Sequence, residues 1–112
     1  MRLVTAVIQP AKLNAVRDVL ASLDVTGMTV TDVKGFGRQK GKTETYRGAS
    51  VGVEWVLKSR VEIVVPDNRV DPVVEAIRDA AFSGKVGDGK IFVSSIEEVM
   101  RIRTAETGED AV

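Results

Sequence analysis

The sequence predicts one α+β domain with the element order βαββαβ, and two features of the chain lead to this fold class. The pattern of strand, helix and strand occurs twice within 112 residues, which is the length of a single domain. Both halves begin with a short β-branched segment that stops at a proline, Pro10 or Pro66. We therefore expect residues 1–112 to form a ferredoxin-like sandwich, with two helices on one face of a four-stranded antiparallel sheet.

The first half has the patterns of a strand, a helix and a second strand. Residues 3–8 are rich in β-branched side chains and end before Pro10, as is typical of a strand inside a sheet. After Gly27, residues 28–33 alternate apolar and polar side chains, which predicts a strand with one buried face. The helix between them is indicated by one apolar stripe, formed by Leu13, Val16, Leu20 and Leu23.

A long loop of about residues 36–56 follows, in a region that is strongly basic. Between residues 34 and 47 a single acid, Glu44, accompanies several basic side chains. Long loops within compact domains are usually functional, so we expect a binding or switching element here, with an inert insertion as the alternative. The basic residues are Lys34, Arg38, Lys40, Lys42 and Arg47.

The second half repeats the pattern of the first. Residues 61–65 predict the third strand, and Pro72 and Gly84 fit the first turn and the C-terminal cap of the helix that follows. Residues 91–96 predict the fourth strand, and residues 101–112 a C-terminal strand and tail. The apolar stripe of the helix consists of Val70, Val73, Val74, Ile77 and Ala81.

The composition excludes several classes of chemistry. The chain has no cysteine and no histidine, which rules out disulfides, zinc–thiolate sites and catalysis by Ser–His or Cys–His pairs. Its 16 basic and 16 acidic residues give no net charge, which argues against nucleic-acid binding and against attraction to a membrane. The apolar N-terminal segment is too short for a signal peptide, so we expect a cytoplasmic protein without direct membrane insertion.

The predicted sheet has one face that the two helices do not cover. Alternating strand positions supply apolar side chains for that face at Val4, Val30, Ile63 and Ile91. An apolar area of that size on a monomer is typical of an interaction surface. We therefore expect a homo-oligomer.

Three glycines and two lysines occur together in residues 84–90, directly before the fourth strand. Glycine main-chain amides can approach an anion closely, and Lys90 can place an ammonium on the same phosphates. The spacing Gly84-x-x-x-x-Gly89-Lys90 matches most of a P-loop, but Ile91 occupies the position of the magnesium-binding Ser or Thr, and no helix follows. We interpret the segment as a phosphate-binding turn, and a tight turn without a ligand is the alternative.

Five segments of the chain together carry a far more specific signal than one glycine motif. They are Gly27-Met28-Thr29-Val30-Thr31, Lys34-Gly35-Phe36-Gly37-Arg38-Gln39-Lys40-Gly41, Tyr46-Arg47-Gly48-Ala49, residues 84–93 and Arg101-Ile102-Arg103-Thr104. With this combination the whole chain resembles the PII family of signal-transduction proteins, the trimeric sensors of nitrogen and carbon status in bacteria and plastids.

The resemblance implies ATP or ADP bound in the cleft between subunits of a homotrimer, joined by Mg²⁺ and 2-oxoglutarate at the root of the long loop. Gln39 would help to hold the Mg²⁺, and the Lys58 ammonium would pair with a 2-oxoglutarate carboxylate. The residues implied for ATP or ADP are Gly27, Met28, Thr29, Gly37, Arg38, Gln39, Glu62, Val64, Gly87, Asp88, Gly89, Lys90, Arg101 and Arg103. Those implied for 2-oxoglutarate are Gly37, Gln39, Lys40, Gly41, Lys58 and Gly87.

Each of these residues taken singly also has a simpler explanation. Arg101 and Arg103 alternate as an exposed strand face would, Lys58 could be a solvated loop residue, and Glu62 could pair with any neighbouring cation. The set as a whole, in family order, favours the functional interpretation.

The chain departs from the family within the long loop. Many members carry a tyrosine that is uridylylated or adenylylated where this chain has Val51, and Ala49 lacks the hydroxyl that is phosphorylated in cyanobacterial relatives. Tyr46 and Ser50 are nearby hydroxyl-bearing residues, but nothing in the sequence shows that a modifying enzyme acts on them. Two further departures lie near the end of the loop, where Trp55 and Leu57 replace the more usual Phe and Pro.

We therefore expect a non-catalytic sensor whose loop binds or releases target proteins according to the bound ligand. The family's targets include ammonium transporters, glutamine synthetase-modifying enzymes and sensor kinases. One alternative is a paralogue that senses adenylate state or another small ligand such as bicarbonate, against which Gln39 and Lys58 weigh. Another is an RNA-binding module on the same fold, which the scarcity of aromatic residues for base stacking disfavours. A small enzyme on this fold is a further alternative, but residues 9–12 lack the arginine that an acylphosphatase-like mechanism would need after the first strand.

Overall fold

The computed structural model describes residues 1–37 and 55–112, and these residues form an α+β fold that confirms the predicted order βαββαβ. Two helices pack on one side of a four-stranded antiparallel sheet. The elements are β1 (Arg2–Ile8), α1 (Leu13–Ser22), β2 (Thr29–Gly35), β3 (Val56–Val65), α2 (Val70–Ala81) and β4 (Gly89–Ser95). Most of the predicted long loop lies outside the described residues.

The sheet has the strand order β2-β3-β1-β4, and every neighbouring pair is antiparallel. Strand β1 is therefore central, as its uninterrupted apolar and β-branched sequence predicts. On one face of β1, Val4 lies opposite Ile63 of β3 and opposite Val93 of β4. This register brings the end of β1 close to the start of β3 and to the segment before β4.

The hydrophobic core lies between the sheet and the two helices. Both predicted helical stripes point into it, with Val16 and Leu20 from α1 and Val73, Ile77 and Ala81 from α2. Full burial of one such aliphatic side chain contributes about 1.5–3 kcal/mol relative to exposure, so this layer is the main source of stability. The sheet supplies Val4, Ala6, Ile8, Val61, Ile63 and Val65.

The four apolar residues that the sequence analysis placed on the uncovered sheet face lie on the helix side instead. Val4 and Ile63 are 0% and 1% exposed within the core, Val30 pairs with Val61, and Ile91 pairs with Ala6. The prediction was wrong because strict alternation assigns residues to two faces but does not say which face the helices cover. We call the other side the open face; it carries Leu3, Thr5, Val7, Val33, Arg60, Glu62, Val64 and Phe92.

The end of α2 also differs from the prediction. The helix stops at Ala81, and Phe82 is extended, with φ −71° and ψ 131°. Gly84 therefore lies beyond the C-cap, and its left-handed conformation, with φ +86°, belongs to the turn that follows the helix. A glycine shortly after an apolar stripe fits both positions equally well, so the sequence could not distinguish them.

The C-terminal segment has less regular structure than the predicted strand. Met100 and Thr107 form an isolated bridge, and Gly108–Ala111 is a short 3-10 helix. Between the bridge residues, the chain turns and places Arg101 and Arg103 on the surface. Among the described residues, no helix combines the length and the apolar character needed to cross a bilayer.

Candidate functional site

Residues 83–89, which lead from the end of α2 to the first residue of β4, form a turn that we call the glycine turn. Its three glycines all have positive φ angles, 86° at Gly84, 105° at Gly87 and 104° at Gly89. The Asp88 carboxylate accepts hydrogen bonds from the main-chain amides of Ser83 and Gly84, at 2.8 and 2.9 Å, and from the Ser83 hydroxyl. Asp88 therefore holds the turn closed through its side chain.

These hydrogen bonds also change the acidity of Asp88. Those from the hydroxyl and the amide of Ser83 are the main cause, and they hold the pKa of the Asp88 carboxyl below its usual value of 3.8. The role of Ser83 was missed by the sequence analysis. A signal was present, because Ser83 and Asp88 flank a segment with two glycines, and serine and aspartate in turns often form hydrogen bonds between side chain and main chain.

Gly89 has a structural requirement that is independent of any ligand. A Cβ atom at this position would lie 1.8 Å from the carbonyl oxygen of Val7 on the neighbouring strand. No rotamer change can relieve a contact that involves only main-chain atoms and Cβ. Gly89 is therefore needed for β4 to pair with β1, and this explanation stands beside the predicted phosphate contact.

Lys58 is the buried cation of this region. Its residue is 8% exposed on strand β3, and Nζ donates a hydrogen bond to the carbonyl oxygen of Gly87 at 2.5 Å. Burial lowers the pKa of the Lys58 ammonium from its usual value, and the negative charge of Asp88 partly opposes this effect. The alternative explanation of Lys58 as a solvated loop residue is therefore wrong.

Lys58 and the glycine turn contribute to one cleft of about 500 Å³, which we call the lysine cleft. It brings together residues that are far apart in sequence, including Gly37, Lys58 and Lys90. Its described lining has two ammonium groups and no carboxylate, so its charge suits an anion. The lining consists of Val7, Gly35, Phe36, Gly37, Lys58, Val86, Gly87, Gly89, Lys90 and Phe92.

Other predicted site residues lie in a second cleft of about 570 Å³, which we call the tail groove because C-terminal residues contribute to its lining. Leu3 of the tail groove and Val7 of the lysine cleft are four residues apart on β1, about 13 Å along an extended strand. Four predicted nucleotide-binding residues line the tail groove: Gly27, Thr29, Glu62 and Val64. The C-terminal residues in its lining, which were not predicted to bind a ligand, are Val99, Glu109, Ala111 and Val112.

Glu62 in the tail groove also has a neighbouring cation. Its Oε1 lies 3.7 Å from Nε of Arg60 on the same strand, which is the kind of pairing that the sequence analysis kept as its alternative. This Nε atom is buried and has no hydrogen-bond partner among the described residues. The remaining predicted residue of this region, Met28, packs against the core and lines neither cleft.

Arg101 and Arg103 lie apart from both clefts within the single chain. Both are exposed on the turn between Met100 and Thr107. Arg101 forms an ion pair with Glu106 of the same turn, with Nη1 and Oε1 3.2 Å apart. The family resemblance implies that these arginines act on a neighbouring subunit, so their separation from Lys90 within one chain is compatible with it.

Two aromatic residues flank the part of the chain that the structure does not describe. Phe36 and Trp55 meet edge to face, with ring centroids 6.0 Å apart, and so bring the ends of that segment together. Sequence analysis noted the unusual Trp55 but not its partner. The predicted residues Arg38, Gln39, Lys40 and Gly41, together with Tyr46, Ser50 and Val51, lie outside the described residues.

Metal-binding side chains are not clustered in the described ranges 1–37 and 55–112. No group of three or more acidic residues lies together there in a geometry that could hold a metal ion. The only side chain to which the resemblance assigns Mg²⁺ is Gln39, which falls between those ranges.

Comparison with known proteins identifies close relatives of full length. A family model described as nitrogen regulatory protein P-II matches residues 1–106. The chain is 54% identical to nitrogen regulatory protein P-II of Rhizobium meliloti (strain 1021) and 54% identical to that of Pasteurella multocida (strain Pm70). It is 48% identical to nitrogen regulatory protein GlnK of Escherichia coli (strain K12). Each comparison extends over 112 residues and covers both chains completely.

Proposed function

Because the chain belongs to the nitrogen regulatory protein P-II family, we propose that it is a signalling protein that binds ATP or ADP and, together with Mg²⁺ and ATP, 2-oxoglutarate. Its relatives are named regulatory proteins, and the chain is a regulator of nitrogen metabolism rather than an enzyme. The observation that carries the ligand proposal is the lysine cleft, in which two lysines and the glycine turn meet.

The phosphates of the nucleotide would occupy the Lys90 side of the lysine cleft. Lys90 lies at the start of β4, directly after Gly89, and its side chain is exposed towards the cleft. An ammonium at this position can form charge-assisted hydrogen bonds with phosphate oxygens while remaining hydrated before the ligand arrives. Arg38 would contribute from the root of the loop, and Arg101 and Arg103 from a neighbouring subunit.

The 2-oxoglutarate would occupy the Lys58 side of the same cleft. The buried Lys58 ammonium is partly desolvated, and its hydrogen bond to Gly87 is to a neutral carbonyl oxygen. A carboxylate is a stronger partner for an ammonium than a neutral carbonyl, so an anionic ligand that reaches Lys58 would compensate its desolvation. Gly37, Gln39, Lys40, Gly41 and Gly87 would complete this site, and Gln39 would also help to hold the Mg²⁺.

The adenosine would lie against the residues of the tail groove in a homotrimer. Support for the assembly comes from the open face, where Phe92 is 51% exposed. A neighbouring copy of the chain would cover this aromatic side chain. In such a trimer, the tail groove of one chain and the lysine cleft of a neighbouring chain would together form one nucleotide site, with the adenosine in the groove and the phosphates in the cleft.

Regulation would take place through the long loop, whose ends meet at Phe36 and Trp55. Ligands bound at its root would favour different loop conformations and so change the affinity for protein targets. Such targets are an ammonium transporter, a glutamine synthetase-modifying enzyme or a sensor kinase. Because position 51 is valine, uridylylation or adenylylation at that position is chemically impossible.

A single calorimetric series tests this function and its alternative. ATP and ADP are titrated into the protein, and 2-oxoglutarate is then titrated both into the protein alone and into the protein saturated with Mg²⁺ and ATP. Binding of both nucleotides, with 2-oxoglutarate only in the presence of Mg²⁺ and ATP, supports the proposal. Nucleotide binding without a 2-oxoglutarate response would favour the paralogue that senses adenylate state, and no binding at all would contradict both.

A further inference from the structure

Arg101 is engaged with an acidic side chain from its own turn. Glu106 Oε1 lies 3.2 Å from Arg101 Nη1, and the same oxygen accepts a hydrogen bond of 2.8 Å from the hydroxyl of Thr104. The carboxylate is thus held by a guanidinium and a hydroxyl. Both of these donors are also common partners of a bound phosphate oxygen.

The turn fixes this arrangement over only six residues. The main-chain amide of Arg101 donates to the carbonyl oxygen of Glu106 at 2.9 Å, and the amide of Ala105 donates to the carbonyl oxygen of Arg101 at 2.8 Å. Ala105 adopts φ +61°, a left-handed conformation that side chains with a Cβ seldom adopt. The two main-chain hydrogen bonds therefore keep Glu106 beside Arg101, in addition to the attraction between their charges.

Arg103 provides an internal comparison on the same turn. It is exposed like Arg101, but it forms no ion pair with any residue of the described ranges. The two arginines have the same charge and lie on the same turn, but only the guanidinium of Arg101 is paired with a carboxylate from the described residues.

We propose that the Glu106 carboxylate competes with nucleotide phosphate for Arg101 and thereby weakens the affinity of the protein for ATP and ADP. This inference rests on the proposed function, in which Arg101 contacts the phosphates of a bound nucleotide. A phosphate that approaches Arg101 must either displace the Glu106 carboxylate or bind with that carboxylate's negative charge a few ångströms away. Either event reduces the net gain from the arginine contact, because part of its charge is already compensated.

The size of the effect follows from the exposure of the pair. The side chains of Arg101 and Glu106 are 42% and 46% exposed, so solvent screens their attraction and the pair is a weak one. Removing the Glu106 charge should therefore tighten ATP and ADP binding by about two- to fivefold. A tuning residue of this kind would keep the nucleotide affinity low enough for exchange while leaving the phosphate contacts in place.

The experiment is a double-mutant cycle read by calorimetric titration of ATP and ADP. Glu106→Gln keeps the shape of the side chain and removes its charge, and Glu75→Gln on the outer face of α2 is the control for net charge. The tightening should be present in Glu106→Gln, absent in Glu75→Gln, absent when Glu106→Gln is combined with Arg101→Met, and retained when it is combined with Arg103→Met.

Each other result overturns the inference in a recognisable way. Unchanged affinity in Glu106→Gln means that Glu106 does not compete at Arg101, and weaker affinity means that Glu106 orients the arginine for the ligand. Equal tightening in the Arg101→Met background means that the charge acts elsewhere. In these cases wild-type binding of ATP and ADP leaves the proposed function intact, whereas a wild-type protein that binds neither nucleotide removes both proposals.

Discussion

The side-chain ammonium of Lys58 donates a hydrogen bond to the main-chain carbonyl oxygen of Gly87, with Nζ and O 2.5 Å apart. The bond joins strand β3 to the glycine turn across 29 positions of sequence. Since Lys58 is almost fully buried, any change at the turn alters the surroundings of its charge. The lysine cleft is therefore one electrostatic unit, in which an anion bound at the turn would change the surroundings of the Lys58 charge.

Lys58→Met should abolish 2-oxoglutarate binding and leave ATP binding within a few fold of wild type. Methionine keeps the length and the apolar stem of lysine but removes the ammonium that would pair with the 2-oxoglutarate carboxylate. Loss of a buried charged partner costs about 2–5 kcal/mol, or at least about thirtyfold in Kd. Titration of 2-oxoglutarate into the variant saturated with Mg²⁺ and ATP measures this.

The matched control for that variant is Lys34→Met, because Lys34 is an exposed lysine on the neighbouring strand β2. It should bind 2-oxoglutarate as the wild type does. If Lys58→Met also binds 2-oxoglutarate with wild-type affinity, the carbon-sensing role has been assigned to the wrong side chain.

Lys90→Ala should weaken ATP and ADP together, since both would place phosphates beside the same ammonium. A charge-assisted hydrogen bond contributes roughly 1.5–3 kcal/mol, which corresponds to about a tenfold to a hundredfold loss of affinity. Lys85→Ala is the control, because Lys85 belongs to the same turn but does not line the lysine cleft. Equal affinities for wild type and Lys90→Ala would show that the glycine turn has only a structural role.

Gly89→Ala should destabilise the fold whether or not a ligand is present. The new Cβ would lie 1.8 Å from the Val7 carbonyl oxygen, and φ +104° is a conformation that alanine rarely adopts. Overpacking and main-chain strain together cost on the order of 3 kcal/mol or more. Urea unfolding of the variant should show a lower midpoint, whereas Gly27→Ala, where nothing lies within 4 Å, should unfold almost as the wild type does.

Asp88 should contribute to stability at neutral pH and lose that contribution in acid. Because its pKa is lower in the folded chain, the folded state binds this proton less readily than the unfolded chain does. The stabilisation is therefore complete above the usual value of 3.8 and disappears as pH falls through the folded pKa. Urea unfolding of wild type and Asp88→Asn should differ at pH 7, and the difference should shrink below about pH 4.

The control for the pH experiment is Asp32→Asn, since Asp32 is an exposed acid on β2 with no ion pair to the described residues. Its effect on stability should be small and should not follow the pH profile of Asp88→Asn. A constant difference between wild type and Asp88→Asn from pH 7 to pH 3 would show that the turn does not depend on the carboxylate charge.

Light scattering should give about three times the chain mass of 12.1 kDa for the wild-type protein. Phe92→Asp should shift the mass towards the monomer, because a charge on the open face cannot be buried against a second copy without a large desolvation cost. Phe82→Asp is a close control, since Phe82 is 53% exposed and Phe92 is 51% exposed, but Phe82 follows α2 and lies off the open face. Monomers for the wild type would contradict the intersubunit site.

Several features of the fold could be predicted from residue patterns because they are local. The stripes that include Val16, Leu20, Val73 and Ile77 identify both helices, since their spacing follows the helical repeat and they fill one core. The family segments likewise identify the family from sequence alone, because each is a continuous run of residues. The three assignments that the structure corrects are the open face, the cap at Gly84 and the C-terminal strand, and each depends on how a local pattern is placed against the rest of the molecule.

The sequence by itself determined the order of the elements, the core-facing helical stripes and the family, because each depends only on residue type and spacing along continuous segments. Only the tertiary structure decided that Lys58 is buried against Gly87, that Asp88 closes the glycine turn, and that the open face presents Phe92. These relationships depend on strand register and on the paths of the turns between elements. A periodic pattern within one strand fixes which residues share a face, but its phase relative to the other strands and to the helices is set when they pack.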